Sequence, residues 1–367
     1  MPDLDHQFGT GTPFSIGVEE ELFLVDPLTG RLINSSNGVV AAVAEVHGRV
    51  DRELHACQIE LITDVLSSAS EVAPALGALR AAVLATGAGI LGAGTHPSAE
   101  EGDAEITDKD RYERIRDLLG DAVITPISGL HVHVGMPDAE TAIRVFNGLR
   151  GYLPLVQALA SNSPFRHGRD TGLASARDMT MRGWPRSGLP RAFRDFHDFS
   201  QMADEVTRAA GVPDYTWFWW KLRPHPRLGT VEIRTLDAQT SVDDVASLTA
   251  LVHCLARALA DRETQPGLSP EVLQESIFRA SRFGVHGELI GGDGEPRPVS
   301  ELLDAVIADV GGYAEELGCA AELAALPRLV SEGGAAGRQR SIFEIAGIGA
   351  VTRTLAEQTA AAAAGAV

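Results

Sequence analysis

Four apolar segments carry ionisable residues at alternate positions. They are Glu19 and Glu21 in "GVEEELFLV", Glu60 in "CQIELIT", His131 and His133 in "GLHVHVG", and Glu232 and Arg234 in "GTVEIR". In an extended strand, residues two apart point to the same side, with Cα atoms about 6–7 Å apart. Each segment therefore aims these charged groups at one face, and apart from Glu20 the other face is apolar. Glu20 falls on the face opposite Glu19 and Glu21, so it is expected to be dispensable for chemistry and tolerant of substitution. Taken singly, each pattern has a plain structural explanation: a solvated edge strand, a core histidine or a cross-strand ion pair. Four together demand one fold that gathers charge, and two carboxylates aimed into one site repel unless a cation lies between them.

Carboxylates joined by one or two histidines suit hard divalent cations, Mg²⁺ or Mn²⁺, with phosphate oxygens completing the shell. A thiolate zinc site does not fit, because Cys57, Cys254 and Cys319 do not cluster in the sequence. The residues thus describe a metal-studded sheet face that binds a polyphosphate. The net charge of −19, without a compensating basic block, repels a nucleic-acid backbone and argues against such a partner. No apolar run approaches the roughly 18 residues of a membrane span. Three cysteines without a paired framework, and an N-terminus "MPDLDHQFGT" without a signal pattern, predict a cytoplasmic protein.

Residues 1–12 read as a loose tail and 14–25 as a strand, with "DPLTG" turning into a short return, "RLIN". A second strand is expected over 54–63, a helix over 69–86, a buried strand in "GAGILGAGTHP", and a strand over 122–136. A helix starts near Asp138 and continues by its apolar spacing to Leu159. Residues 161–192 are irregular and too long for an ordinary connection. Residues 217–238 read as two strands around a Pro/Gly turn. Ser241 with Asp244, and Ser269 with Pro270, then open helices that dominate to a frayed tail at 360–367. Hairpin-like joins favour an α+β class with a mainly antiparallel sheet. No composition break marks a linker, so residues 1–367 are expected to form a single catalytic domain.

"GVEEE", "QIELIT", "ISGLHVHVG", "ASNSPF", "GRDTG", "ASAR", "LRPHPRLGTVEIR" and "FRASRFG", in this order, resemble the carboxylate–amine ligase and type 2 glutamate–cysteine ligase family. The resemblance spans about residues 14 to 290. It implies a relative of glutamine synthetase: a curved antiparallel sheet forms a funnel, with helices on its outer face and Mg²⁺ or Mn²⁺ ions holding ATP phosphates. It also implies an ATP-dependent ligase that converts a carboxylate to an acyl phosphate, which an amine then attacks. Both substrates would be small molecules, with glutamate and cysteine the typical pair and a specialised biosynthetic variant equally credible. A homo-oligomer is compatible with this reading.

Carried over residue by residue, the resemblance makes Glu19, Glu21, Glu60, His131 and Glu232 metal ligands, with Glu21, Glu60 and Arg234 at the centre of catalysis. Arg234 would meet the transferred phosphate, where a guanidinium neutralises charge. Arg223, His225, Arg279 and Arg282 would add positive charge for ATP, with Arg227 as readily a solvated turn residue. Asn162, Arg169, Asp170, Ser175 and Arg177 fall in a lid-like substrate segment, and His133 shares the face of His131. Leu173 and Ala176 stand where the family often has aromatics, and Ser276 where asparagine is usual; these differences bear on substrate identity rather than on the metal machinery. The same acidic face would also serve a metal-dependent hydrolase or phosphotransferase, or a non-catalytic nucleotide binder.

Overall fold

The computed structural model describes residues 3–263 and 267–364. Strand β1 (Ile16–Val25) anchors the main sheet. Beside it run β3 (Gln58–Ile62), followed by β2 (Arg49–Arg52) at the edge, while β4 (Gly89–Leu91) pairs with its C-terminal half. On its other side lies β5 (Gly129–Gly135). A separate two-residue hairpin, β6 (Phe165–Arg166) and β7 (Arg169–Asp170), precedes β8 (Leu222–His225) and β9 (Thr230–Asp237). The main sheet runs β2-β3-β1-β5-β9-β8, and every pairing is antiparallel.

Helices α1 (Ser36–Ala42), α2 (Val72–Leu84), α3 (Asp110–Leu119), α4 (Ala139–Leu149), α5 (Leu153–Ala160), α6 (Ala176–Met181) and α7 (Phe196–Ala210) lie between strands. After the sheet come α8 (Val242–Ala260) and α9 (Pro270–Phe283). The back of the sheet is largely apolar, interrupted by the Glu20–Arg80 ion pair and the contact of Thr235 with Gln157. Val18, Leu22, Leu24, Leu130, Val132, Val134, Val231 and Ile233 are buried there in one cluster with residues of α2, α4, α5 and α8. Helix α8 is buried along most of its length because it is apolar nearly all round. Its N-cap is Ser241, whose side chain accepts the Asp243 N–H.

The front face is only half covered. Phe23 and Val25 at the end of β1 join Leu91, Ala93, Phe165, Val351 and Leu355 in a second cluster. Its covering residues come from the C-terminal region: α10 (Val299–Glu316), α11 (Ala320–Ala324), α12 (Pro327–Ser331), α13 (Gly334–Ala346) and α14 (Ile348–Ala364) complete the chain, and α14 supplies Val351 and Leu355. The start of β1, with Glu19 and Glu21, is left facing a cavity.

Several expectations need correction. Residues 3–12 are tied down: Gln7 N–H donates to the Pro226 carbonyl at 2.8 Å, and Phe8 is buried. The C-terminal helix continues to Ala364 with Ala363 buried, because its small residues pack closely; residues 365–367 lie outside the described ones. The strand expected over 122–136 starts only at Gly129, after a 3₁₀ turn at Gly120–Val123. The helix expected to run to Leu159 breaks after Leu149, where Gly151 intervenes and Pro154 sits in the first turn of α5. The 54–63 stretch is strand only over 58–62, and β2 was not foreseen. Another hairpin, β10 (Glu288–Ile290) and β11 (Pro296–Pro298), interrupts the helical C-terminal half. Segment 161–192 is not merely irregular, since it holds β6, β7 and α6.

Candidate active site

Cross-strand register assembles the charged residues in rows. Glu21 lies opposite Glu60 on β3, and Glu60 opposite Asp51 on β2. Glu19 lies opposite His131 on β5, and His133 opposite Glu232 on β9, which in turn faces Arg223 on β8. The face that alternation predicted is therefore one continuous surface. It lines a cavity of about 400 Å³ that also takes in Glu53, Lys109, Arg111, Tyr112, Arg177, Trp184 and Trp219.

A bulge shapes the middle of this surface. Leu130 pairs with Leu236 but Val132 pairs with Ile233, so two residues of β9, Arg234 and Thr235, oppose the single His131. Because Gly129 pairs with Asp237 and His133 with Glu232, Asp237 joins Glu232 on the front despite its odd number. Asp237 accepts hydrogen bonds from Ser163 Oγ (2.7 Å), Ser175 Oγ (2.9 Å) and the Asn162 N–H (2.8 Å). A Cβ at Gly129 would lie 2.2 Å from the Arg177 guanidinium, so a side chain there would displace that group from the backbone it crosses. The Gly129 N–H donates to Glu21 Oε2 at 2.6 Å.

His131 is the hinge of the charge cluster. Its Nδ1 is 3.2 Å from Glu19 and its Nε2 3.6 Å from Glu21. Glu19, His131 and Glu232 offer ligand atoms within 4.8 Å of one another, and so do Glu21, Glu60 and His131. Burial and the neighbouring Arg234 hold the His131 imidazolium down to about 4, so the ring is neutral at physiological pH. Burial pushes Glu21 up to about 7, with the Glu53 carboxylate adding to it. Burial and the negative charges of Glu19, Glu53 and Glu21 raise Glu60 well above the carboxylate range. Burial alone would also raise Glu19 and Glu232. His133 and His131 outweigh it for Glu19, and Arg223 and Arg234 for Glu232, holding both well below that range. The His133 Nε2 atom is buried without a hydrogen-bond partner, 3.5 Å from Glu19 and 3.8 Å from Glu232. Crowded acids, a neutral histidine and an orphaned nitrogen fit a site built for divalent cations.

Arg234 contacts Glu232, which Arg223 also grips with its Nε at 2.7 Å. Beside Arg234 a small recess holds Arg177, Asp178 and Lys221. Burial, then the nearby Arg177, lowers the Lys221 ammonium to about 7, and the side chain contacts Asp178. On the other side of Glu19 opens a second cavity of about 300 Å³, largely apolar, with Ile16, Val65, Met136 and Leu228 in its wall and His133 and Thr230 at its charged end.

Glu19, Glu21, Glu60, His131, Arg177, Arg223, His225, Arg227 and Arg234 all line the polar cavity. His133 and Glu232 join them through the register. Arg227 pairs with Asp214 at 2.7 Å. Six expected residues do not reach it. Asn162 is a buried strut, its Nδ2 donating to Ala238 and its Oδ1 accepting from Gln339. Ser175 caps α6 and donates to Asp237. Arg169 is exposed on β7, and Asp170 pairs with Arg340 of α13 at 2.8 Å. Arg279 pairs with Glu275 along α9 at 3.0 Å, and Arg282 lies over Phe283. All but the exposed Arg169 are held by a structural partner outside the cavity. Sequence reading missed Glu53, Lys109, Arg111 and Lys221. Glu53 follows β2 among Asp51, Arg52 and His55, outside any alternating run, and no local signal marked it.

Comparison with known proteins identifies the family. The profile described as glutamate–cysteine ligase family 2 matches residues 15–355. A Rubrobacter xylanophilus protein, provisionally named glutamate–cysteine ligase 2-3, is 39% identical over 97% of this chain and 100% of its own length. A Gloeobacter violaceus protein, provisionally named glutamate–cysteine ligase 2, is 35% identical over 92% of this chain and 94% of its own. Among solved structures, glutamate–cysteine ligase from Francisella tularensis in complex with AMP covers 100% of this chain and 93% of its own. Its TM-score is 0.68 at 14% identity. A bifunctional glutathione synthetase from Pasteurella multocida also gives a TM-score of 0.68 at 14% identity, over 96% of this chain and 52% of its own. At such identities the structural likeness establishes the fold alone. The chain belongs to glutamate–cysteine ligase family 2, a family of ATP-dependent carbon–nitrogen ligases.

Proposed function

We propose that the chain phosphorylates a small carboxylate with ATP and joins the resulting acyl phosphate to an amine, with the side-chain carboxylate of glutamate and the amine of cysteine as the leading pair. The observation that carries this reading is the single face on which Glu19, Glu21, Glu60, His131 and Glu232 meet Arg234 at a 400 Å³ polar cavity. Mg²⁺ or Mn²⁺ held by Glu19, His131 and Glu232, and by Glu21 and Glu60 with Glu53 beside them, would neutralise phosphate charge. Arg234, held by Glu232, points its guanidinium to the same place and stabilises charge on the transferred phosphoryl group. The two cavities meet at Glu19, which suits a nucleotide base in the apolar one and the carboxylate and amine in the polar one. Arg177, Lys109 and Arg111 supply cationic partners for substrate carboxylates, and the Trp184 and Trp219 rings exclude water from the hydrolysable acyl phosphate.

A phosphate-release assay tests this with ATP, Mg²⁺ and paired panels of carboxylates and amines. Release that requires both partners and yields an amide of matching mass is expected. If cysteine is replaced by another amine at equal rate, the enzyme is a specialised relative. Release indifferent to amine overturns the ligase reading.

A further inference from the structure

A third cavity, of about 330 Å³, lies behind the sheet between the end of α4, the start of α5, the end of α8 and strand β10. Its walls are apolar at Leu259, Leu273 and Ile290, yet it is lined by Arg144, Arg150 and Arg262. In a chain of net charge −19, arginines usually find carboxylates. Arg262 does, pairing with Asp309 at 2.7 Å. Among the described residues Arg144 and Arg150 form no direct ion pair, and only Arg144 has a carboxylate close by, Asp138, which it reaches through Thr141 Oγ1. Arg144 donates to Thr141 Oγ1 and the Ala260 carbonyl, and Arg150, only 7% exposed, donates from its Nε to the Pro190 carbonyl at 2.9 Å. Glu263 at the rim is the one carboxylate that lines the cavity among the described residues. A buried guanidinium without an anionic partner is costly unless a ligand supplies the charge.

The same wall holds a segment of the substrate cavity. Asn147 clamps Phe193 at both ends, donating to its carbonyl at 2.6 Å and accepting its N–H at 3.0 Å. Between these anchors and the active site, Gly188 bridges to Trp220 and accepts the Lys221 N–H at 2.9 Å, and Trp184 reaches the polar cavity. We propose that this cavity binds a small organic oxyanion, a phosphate or carboxylate on an apolar body, and that its occupancy is transmitted through residues 188–193 to the substrate cavity.

The four tryptophans, Trp184, Trp217, Trp219 and Trp220, all lie in or beside that segment, so their fluorescence reports on it. Phenyl phosphate and benzoate would be titrated into the full-length Arg234→Ala protein, which weakens phosphate binding at the active site, and the loss on substituting Arg144 or Arg150 assigns the remaining signal to this cavity. Saturable binding with a change in tryptophan fluorescence is expected for one of them, weakened at least tenfold when Arg144→Gln or Arg150→Gln is added. Which probe binds tells phosphate from carboxylate. Arg144→Gln leaves the Pro190 bond intact and decides the matter if Arg150→Gln melts early. Absence of saturable binding by both probes, or binding indifferent to both substitutions, overturns the site. Inorganic phosphate binding as tightly as phenyl phosphate overturns the apolar part of the proposal. Binding without a fluorescence change overturns the transmission.

Discussion

The two faces of β1 treat the same residue type in opposite ways. On the back, Glu20 is fully buried and fully satisfied: Arg80 donates to it at 2.9 and 2.5 Å and spends its remaining N–H groups on the Gln239 and Thr240 carbonyls. On the front, Glu19 and Glu21 are crowded by other acids, and their protonation is perturbed in opposite directions. A carboxylate that has found its cation inside the protein is structural. One that is left short of cations is reserved for a ligand. The expectation that Glu20 tolerates substitution is therefore corrected, because a buried Arg80 would lose its counter-charge.

The sharpest way to break the comparison is to remove charge from each face. Arg234→Ala or Glu21→Ala should lower turnover by roughly 10³-fold or more with the melting temperature little changed, measured as phosphate release. Glu20→Ala should do the reverse, losing about 3–5 kcal/mol in urea unfolding while the folded fraction keeps its turnover. Full stability in Glu20→Ala would end the distinction. Glu53→Gln should weaken Mg²⁺ binding by about 10–100-fold in calorimetry, as for other residues that tune a metal site. A smaller effect comes from pH. Glu21 binds a proton that a metal must displace, so Mg²⁺ affinity should rise with pH by up to about tenfold per unit below about 7, and the raised Glu60 should steepen and extend that rise. Calorimetry in buffers of different ionisation heat should show proton release on Mg²⁺ binding at about pH 6, smaller at about pH 8 once Glu21 is ionised. Arg279→Ala, outside the cavity, should change turnover by less than about twofold.

What was legible in the sequence follows from how each residue is placed. Strand alternation carries its own geometry, so spacing put Glu19 with Glu21, His131 with His133 and Glu232 with Arg234 on one side of each strand, and the family resemblance joined them with Glu60 in one set. Glu53 could not be placed, since it leaves the edge of β2 where no period applies, and its approach to Glu21 and Glu60 depends on the turn that follows. Lys109 and Arg111 reach the cavity from the start of α3, a segment with no sequence link to the sheet. Asn162 and Ser175 erred the other way. Polar residues in a long loop look like ligand contacts, but here they satisfy one another and the buried Asp237. Arg279 and Arg282 belong to the resembling stretch, yet α9 turns both outward onto Glu275 and Phe283. The front-face plug of Phe23, Val25, Val351 and Leu355 joins residues more than 300 positions apart and left no local trace.

The doubled residue opposite His131 gives β9 two phases. Before it, even-numbered positions supply the charges that face the cavity; after it, an odd-numbered one takes over. One strand can thus hold Glu232 and Arg234 for chemistry and Asp237 for the scaffold around Arg177, with no break in the sheet. Deleting a single residue there would shift the parity, and either the reacting charges or the aspartate that organises the 161–177 loop would turn to the wrong side. Counting, as much as composition, carries information in that strand's geometry.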